Sequence, residues 1–173
     1  CGALTRYLGE LGAEVVALEG SLRRASIVAS RCRGLSNVTV VGEVVHHFDP
    51  GPQFDVVTVI GVLKKDRKFF PGDGADPVDA MLGYLKGLLK PGATLIIAIE
   101  NQLGLKYFAG FPEDHMGKPM FGIEEHYSKG DVVTFGRREL GRRVSQAGLT
   151  EQEWWYPFPD YKLPSLMVSE GGA

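Results

Sequence analysis

The residues best suited to chemistry follow short apolar runs. Glu19 closes the run Val15-Val16-Ala17-Leu18 and lies 17 residues after Gly2. A carboxylate at a strand end can accept hydrogen bonds from both hydroxyls of a ribose; the plain alternative is a solvated strand-end acid. Gly42-Glu43 ends the next run, Asn37 to Val41, where an acid can take the amino group of an adenine ring or be an ordinary turn residue. Gly61-Val62-Leu63 follows Phe54 to Ile60. Glycine there permits close backbone approach, and its apolar neighbours can sandwich a flat base or simply pack in the core. His115, in Pro-Glu-Asp-His, is the best candidate for a general base, since an imidazole takes up a proton near neutral pH. Glu113 or Asp114 can orient it. His126, in Glu-Glu-His-Tyr, is the second such candidate. Tyr107, Phe108, Phe111 and Phe121 can wall an apolar or sugar-stacking pocket, or form the small core of their own segment.

The elements that must position these residues alternate. Leu4, Leu8 and Leu11 are spaced for one helical face, with Gly12 as a C-terminal stop. Glu14 to Leu18 reads as a strand. Ser21 caps a helix to about Arg33, with Ala25, Val28, Ala29 and Cys32 inward, and Gly34 stops it. Asn37 to Val41 is a second strand, residues 46–53 a loop, and Phe54 to Ile60 a third strand. The last is nearly continuous in apolar residues, which suits a parallel sheet covered on both faces. Asp76 caps a helix through Leu89 with Met81, Leu82, Leu85, Leu88 and Leu89 as its core stripe. A turn at Lys90-Pro91-Gly92 leads to a strand over Ala93 to Ile99. Residues 101–133 break this rhythm and read as an insertion or lid. A helix over Arg137 to Ala147, a strand over Thr150 to Tyr156, a turn at residues 157–162 and a strand over Leu163 to Ser169 complete the chain. Strands alternating with helices predict an α/β fold, a single domain over 1–173 with a mostly parallel sheet and an antiparallel last strand.

Composition limits the classes of partner. The 173 residues are 44% hydrophobic and 23% charged, as in ordinary globular domains. Nineteen Lys plus Arg against 21 Asp plus Glu give a net charge of −2, which disfavours nucleic acid and anionic membranes. Arg137, Arg138, Arg142 and Arg143 share one helix, read here as a solvated face, with a phosphate patch as the alternative. Lys64 to Lys68 offers a possible anion contact. Two cysteines are too few for a disulfide framework or a cysteine-built zinc site and fit a cytoplasmic location. No apolar run reaches the roughly 18 residues of a membrane span. The acidic–histidine runs at 113–115 and 124–126 match no strong metal signature, so no metal is expected. At period two, at least one of Trp154 and Trp155 falls in the core.

Taken together, CGALTRYLGELGAEVVALEGS, NVTVVGE, FDVVTVIGVL and LLKPGATLIIAIEN resemble class I S-adenosylmethionine-dependent methyltransferases over nearly the whole chain. The segments ENQLGLKYFAGFPEDHMGKPMFGIEEHY and YPFPDYKLPSLMVSE resemble a bacterial branch often found beside or fused to glycosyltransferases. The resemblance implies a Rossmann-like sheet of seven strands with the methyl donor across its carboxyl edge. It places Cys1 and Gly2 in the tail of the donor's Gly-rich motif, Glu19 and Gly20 at the ribose, Glu43 near adenine, and Gly61 and Val62 in the pocket wall. The acceptor, a small molecule or a glycan, then falls to the insertion, with Asn101, Tyr107 and His126 as contacts and His115 as base. The family's first strand and leading glycines lie before Cys1, so the chain is expected to be a piece of a longer protein lacking that central strand. Two other functions fit the residues: a nicotinamide-dependent oxidoreductase, since Glu19 also suits a dinucleotide ribose, and a non-catalytic scaffold of the same fold.

Overall fold

A computed structural model describes residues 1–63, 76–128, 131–160 and 162–172. They fall into two compact units, Cys1–Pro50 and Gly51–Ala173.

In the first unit the elements are α1 (Ala3–Glu10), β1 (Val15–Leu18), α2 (Leu22–Arg31), β2 (Val38–Val41) and a 3-10 turn at Val45–His47. The strands β1 and β2 are parallel, in register from Val15↔Val38 to Leu18↔Val41. Helix α1 comes closest to β2 at Gly9, where an added Cβ would lie 2.5 Å from Val38 Cγ2, and of its leucines Leu8 is half-buried. Leu4 and Leu11 are exposed. The helix ends as expected: Gly12 takes a positive φ of 88°, and the Gly12 and Ala13 amides turn back to Gly9 and Leu8. Asn37 Nδ2 donates to the carbonyls of Gly9 and Ala13, fixing that end to the start of β2. In α2, Ala25, Val28 and Cys32 are buried as predicted, but Ala29 is exposed, being one step round the helix from Val28.

The second unit holds β3 (Phe54–Ile60), α3 (Pro77–Gly87), β4 (Leu89–Ala98), α4 (Leu105–Phe108), α5 (Arg137–Gln146), β5 (Trp155–Phe158) and β6 (Leu166–Ser169). Parallel pairing of β3 with β4 runs from Val56↔Thr94 to Ile60↔Ala98, after a pairing of Phe54 with Leu89. The expected turn at Lys90-Pro91-Gly92 is therefore a bulge inside β4, with Gly92 at φ 78°. Asp76 caps α3, accepting from the Val78 amide at 3.0 Å. The stripe Met81, Leu82, Leu85, Leu88 and Leu89 is buried as predicted, Leu82 completely. Leu63, Val78, Phe135 and Leu140 join the same core, and each fully buried Leu contributes about 1.5–3 kcal/mol. The double cover expected for β3 is not met among the described residues. Val57 and Val59 face the core, while Val56 and Ile60, like Ile96 on β4, are exposed.

The final pair is antiparallel, Trp155↔Ser169 to Phe158↔Leu166, so the connection, residues 159–165, falls later than the 157–162 turn the sequence suggested and is no shorter. Trp154 packs on the core while Trp155 is exposed. The described residues thus form a partial Rossmann-like α/β fold of three strand pairs rather than one continuous sheet of seven strands. Among them, no helix is long and apolar enough to cross a membrane.

Candidate functional site

Parallel pairing brings two carboxyl strand ends to one edge within each unit, the edge where open α/β sheets take ligands. In the first unit the ends of β1 and β2 carry Glu19 and Gly42-Glu43. The Glu19 amide donates to Val41 O at 3.0 Å, which holds the two ends side by side. Glu19 Oε1 accepts from the Ser21 amide at 3.1 Å and from Arg24 Nε at 3.0 Å. Both bonds fall on Oε1; Oε2 carries none among the described residues. Glu43 Oε1 accepts from the Val44 amide at 2.9 Å, with His47 Nδ1 at 3.4 Å. The Val44 amide, aided by the two neighbouring histidines and opposed by burial, holds its carboxyl below the ordinary value.

The glycines at this edge differ in what they require. Gly2, at φ 78°, precedes α1, and an added Cβ would come within 3.1 Å of Val28 Cα. Gly42 would meet Leu22 at 2.9 Å, whereas Gly20 faces open space. Cys1 is exposed.

In the second unit the ends of β3 and β4 carry Gly61-Val62 and Glu100-Asn101. Gly61, at φ 65°, donates its amide to Ala98 O at 2.7 Å. Val62 is partly exposed, while Leu63 is buried in the core. Asn101 accepts from the Leu103 amide at 3.0 Å through its side chain and pairs with Phe135 by backbone.

The insertion that follows is built on polar contacts. Tyr107, buried on α4, donates its hydroxyl to Asp114 Oδ2 at 2.5 Å. Lys106 Nζ reaches the same oxygen at 2.7 Å and Asp160 Oδ2, on the closing turn, at 3.0 Å. Burial would lower the Lys106 ammonium, but the two carboxylates outweigh it and hold it above its ordinary value. Burial likewise opposes the low Asp114 carboxyl, which Lys106 and Tyr107 keep down. Tyr107 itself is pushed up, by burial first and then by its bond to Asp114, with Glu113 and Glu100 adding to the effect. Lys162 Nζ lies 3.6 Å from the buried Glu100.

The predicted base, His115, is half buried, with Nε2 sealed from solvent and without a hydrogen-bond partner. Neither neighbouring acid holds its imidazole. Glu113 Oε2 instead accepts from the backbone amides of His115 and Met116 at 2.8 and 2.6 Å, and Asp114 turns to Lys106 and Tyr107. His126 is exposed, 3.5 Å from Glu124 and edge-on to Phe121. Of the four aromatics, Tyr107 and Phe121 are core, whereas Phe108 and Phe111 are exposed. The structure therefore gathers Glu100, Tyr107, Glu113 and Asp114, and adds Lys106, Tyr127 and Asp160, which nothing in the sequence singled out. Among the described residues no three His, Cys, Asp or Glu gather as a metal-binding group. The Lys64–Lys68 cluster lies outside the described residues.

The arginines of α5 are mostly committed. Arg143 pairs with Asp76, Asp79 and Glu139; Arg142 pairs with Glu139; and Arg137 pairs with Glu170 while stacking 4.5 Å from the Trp154 ring. Arg138 and Arg142 stay on the solvated face the sequence predicts, while Arg143 and Arg137 reach across to other segments.

No protein-family model and no curated protein matches the sequence. Solved structures do match. A candidate O-methyltransferase of Nostoc punctiforme aligns with a TM-score of 0.59 at 15% identity, covering 88% of this chain and 44% of that one. The 1,6-didemethyltoxoflavin-N1-methyltransferase of Burkholderia thailandensis, solved with 1,6-didemethyltoxoflavin and S-adenosylhomocysteine, aligns with a TM-score of 0.58 at 20% identity, covering 91% and 60%. The chain thus spans about half the length of the structures it matches. At these identities the likeness is one of fold: the chain carries a partial Rossmann-like α/β fold of the methyltransferase kind, mostly parallel with a closing antiparallel pair.

Proposed function

We propose that the protein binds S-adenosylmethionine and takes part in methyl transfer to a small-molecule or glycan acceptor. The observation that carries this reading is Glu19: a strand-end carboxylate anchored through Oε1, with Oε2 left for a ligand, in a fold shared with a methyltransferase solved with S-adenosylhomocysteine.

The residues present fit such a donor. Gly2 is held at positive φ with Val28 3.1 Å from where a Cβ would stand, so glycine there lets the start of α1 pack on α2. Within the first unit, Glu19 accepts from the ribose hydroxyls and Glu43 from the adenine amino group, with Cys1 and Gly20 as further donor contacts. Within the second unit, Gly61 and Val62 offer a strand end suited to a flat base. When bound, the donor supplies a methyl group on a sulfonium, a leaving group that needs no acid. The chain's own work is then alignment and, for a protonated acceptor, removal of a proton. His115 Nε2, unpartnered and shielded, is the atom proposed to take that proton. Asn101 and His126 contact the acceptor from the exposed side, and Tyr107 backs the site through Asp114. A glycosyltransferase domain or partner is proposed on the segment resemblance alone; co-purification of such an enzyme with the full-length protein tests it.

Equilibrium dialysis with labelled S-adenosylmethionine, beside fluorescence of reduced nicotinamide cofactors, separates the readings. Retained label with silent fluorescence supports methyl transfer; the reverse supports the oxidoreductase. Retained label with no methyl incorporation into any amine- or hydroxyl-bearing acceptor leaves the scaffold.

A further inference from the structure

Glu113 is 2% exposed, and its two oxygens differ sharply. Oε2 accepts two backbone amides, from His115 and Met116, while Oε1 is sealed from solvent with no hydrogen bond of ordinary geometry, although the Tyr127 hydroxyl, pushed up by burial and by Glu113, stands beside the carboxylate. A carboxylate oxygen left unmet in a dry site is costly and favours any donor that reaches it.

No cation pairs with Glu113 among the described residues. Lys106 is held by Asp114 and Asp160, Lys162 lies beside Glu100, and Lys118 stands over the Phe121 ring, 5.7 Å from its centre. Around it stand Glu100, Asp114 and Asp160, with Lys106 on Asp114 and Asp160 and Lys162 beside Glu100. Tyr107 sits among these acids and has spent its hydroxyl proton on Asp114. Two residues beyond Glu113, His115 Nε2 is a second buried atom without a partner.

The backbone keeps this arrangement in place. An added Cβ at Gly122 would lie 2.7 Å from Tyr127 Oη and 3.6 Å from Glu113 Cγ. Tyr127 is itself tied to Thr134 Oγ1 at 3.0 Å. Met120 and Glu125, either side of Gly122, hold positive φ of 60° and 55°.

We infer that Glu113 Oε1 and His115 Nε2 form a subsite at the carboxyl end of β4 for an amino alcohol such as an amino sugar, the ammonium going to Glu113 and a hydroxyl to His115. The inference deepens the methyl-transfer reading above and rests on it for the term acceptor. A bound ammonium has no lone pair, so it serves as the handle. The hydroxyl facing His115 is the nucleophile, with its proton passing to Nε2.

The test is an NMR titration of the full chain with glucosamine and, separately, with N-acetylglucosamine, which keeps the ring but lacks the charge. The Met116 and Gly122 amides and the His115 ring report the site. Glucosamine should shift them with at least about tenfold higher affinity than the acetylated sugar. Glu113→Gln, which keeps an oxygen for the two backbone amides, should remove that advantage. Equal responses to the two sugars, silence to both, or an unchanged preference in the variant overturns the inference. The sugar comparison on the unaltered chain decides the matter even if the variant fails to fold. S-adenosylhomocysteine binding, measured on the same sample, separates the failures: donor bound with no sugar preference sinks this subsite alone, and no donor bound sinks the reading beneath it.

Discussion

Replacing Arg143 with alanine should unfold the second unit far more readily than any other change to a charged helix face. Its side chain is only 13% exposed. Nη1 meets Asp79 at 2.7 Å and Asp76 at 3.2 Å, Nε meets Glu139 at 2.7 Å, and the guanidinium lies 5.3 Å from the Phe135 ring centre. Asp76 also caps α3, so one side chain ties the start of α3 to α5. Alanine would leave three carboxylates facing one another around a hole. Removing one partner of a buried pair costs about 3–5 kcal/mol. Asp79 and Glu139 are nearly half exposed, so water recovers part of that, and about 2–3 kcal/mol is expected. For a chain of this size that lowers the melting temperature by about 4–12 °C. Arg143→Lys keeps the charge but loses the fork and should fall about midway. Arg6→Ala, which breaks the exposed pair with Glu10, is the control and should cost less than about 0.5 kcal/mol. Urea denaturation followed by circular dichroism reads all three. If Arg143→Ala costs no more than Arg6→Ala, the reasoning from burial is wrong.

Three further outcomes follow from the structure. Leu82→Ala, at a fully buried position, should lose about 2–5 kcal/mol of unfolding free energy in urea denaturation; a loss under about 1 kcal/mol would mean that the core is not packed as described. Gly2→Ala forces a side chain into a left-handed backbone 3.1 Å from Val28 and should cost about 1–2 kcal/mol in thermal melting, which a neutral result would contradict. Acid should loosen the insertion before the core. Asp114 and Asp160 titrate below their ordinary value of 3.8 in the folded chain, so their contribution is complete above that value and is lost as pH falls through the depressed folded values. Lys106 titrates above its ordinary value, so its contribution is complete below 10.5 and fades only as pH rises through the elevated one. The protection factor of the Tyr107 amide, exchange corrected for its intrinsic pH dependence, should be flat between these limits and fall on both sides. A protection factor that rises as pH falls through the carboxylate range would contradict the ion-pair account.

The sequence disclosed whatever local rules govern. The Asp76 cap, the Met81–Leu89 stripe and the glycine stops at Gly12 and Gly34 follow from propensity and spacing within a turn or two. The candidate strand-end residues were legible for the same reason, since each directly follows a short apolar run. Contacts between distant segments were not. Lys106 meets Asp160 across 54 residues, and no periodicity announces such a pair. Glu113 lies in an irregular loop, where nothing in the spacing says that it grips backbone amides instead of an imidazole. Arg143 looked like its neighbours Arg138 and Arg142 because periodicity marks a face and not what packs on it. The leucines of α1 were a partial guide: Leu8 is half-buried but Leu4 and Leu11 are exposed, and the close contact with β2 includes Gly9, which has no side chain to count.

The central claim, that Glu19 holds the ribose of an adenosyl donor, is tested most directly by calorimetric titration of the wild-type chain and of Glu19→Gln with S-adenosylhomocysteine. The amide keeps one oxygen for Ser21 but removes the charge that would meet the sugar hydroxyls. Charge-assisted hydrogen bonds contribute about 1.5–3 kcal/mol each, so loss of one or two predicts binding by the wild type that weakens at least about tenfold in the variant while thermal stability holds. Equal affinities, or no heat from the wild-type chain, would contradict the account.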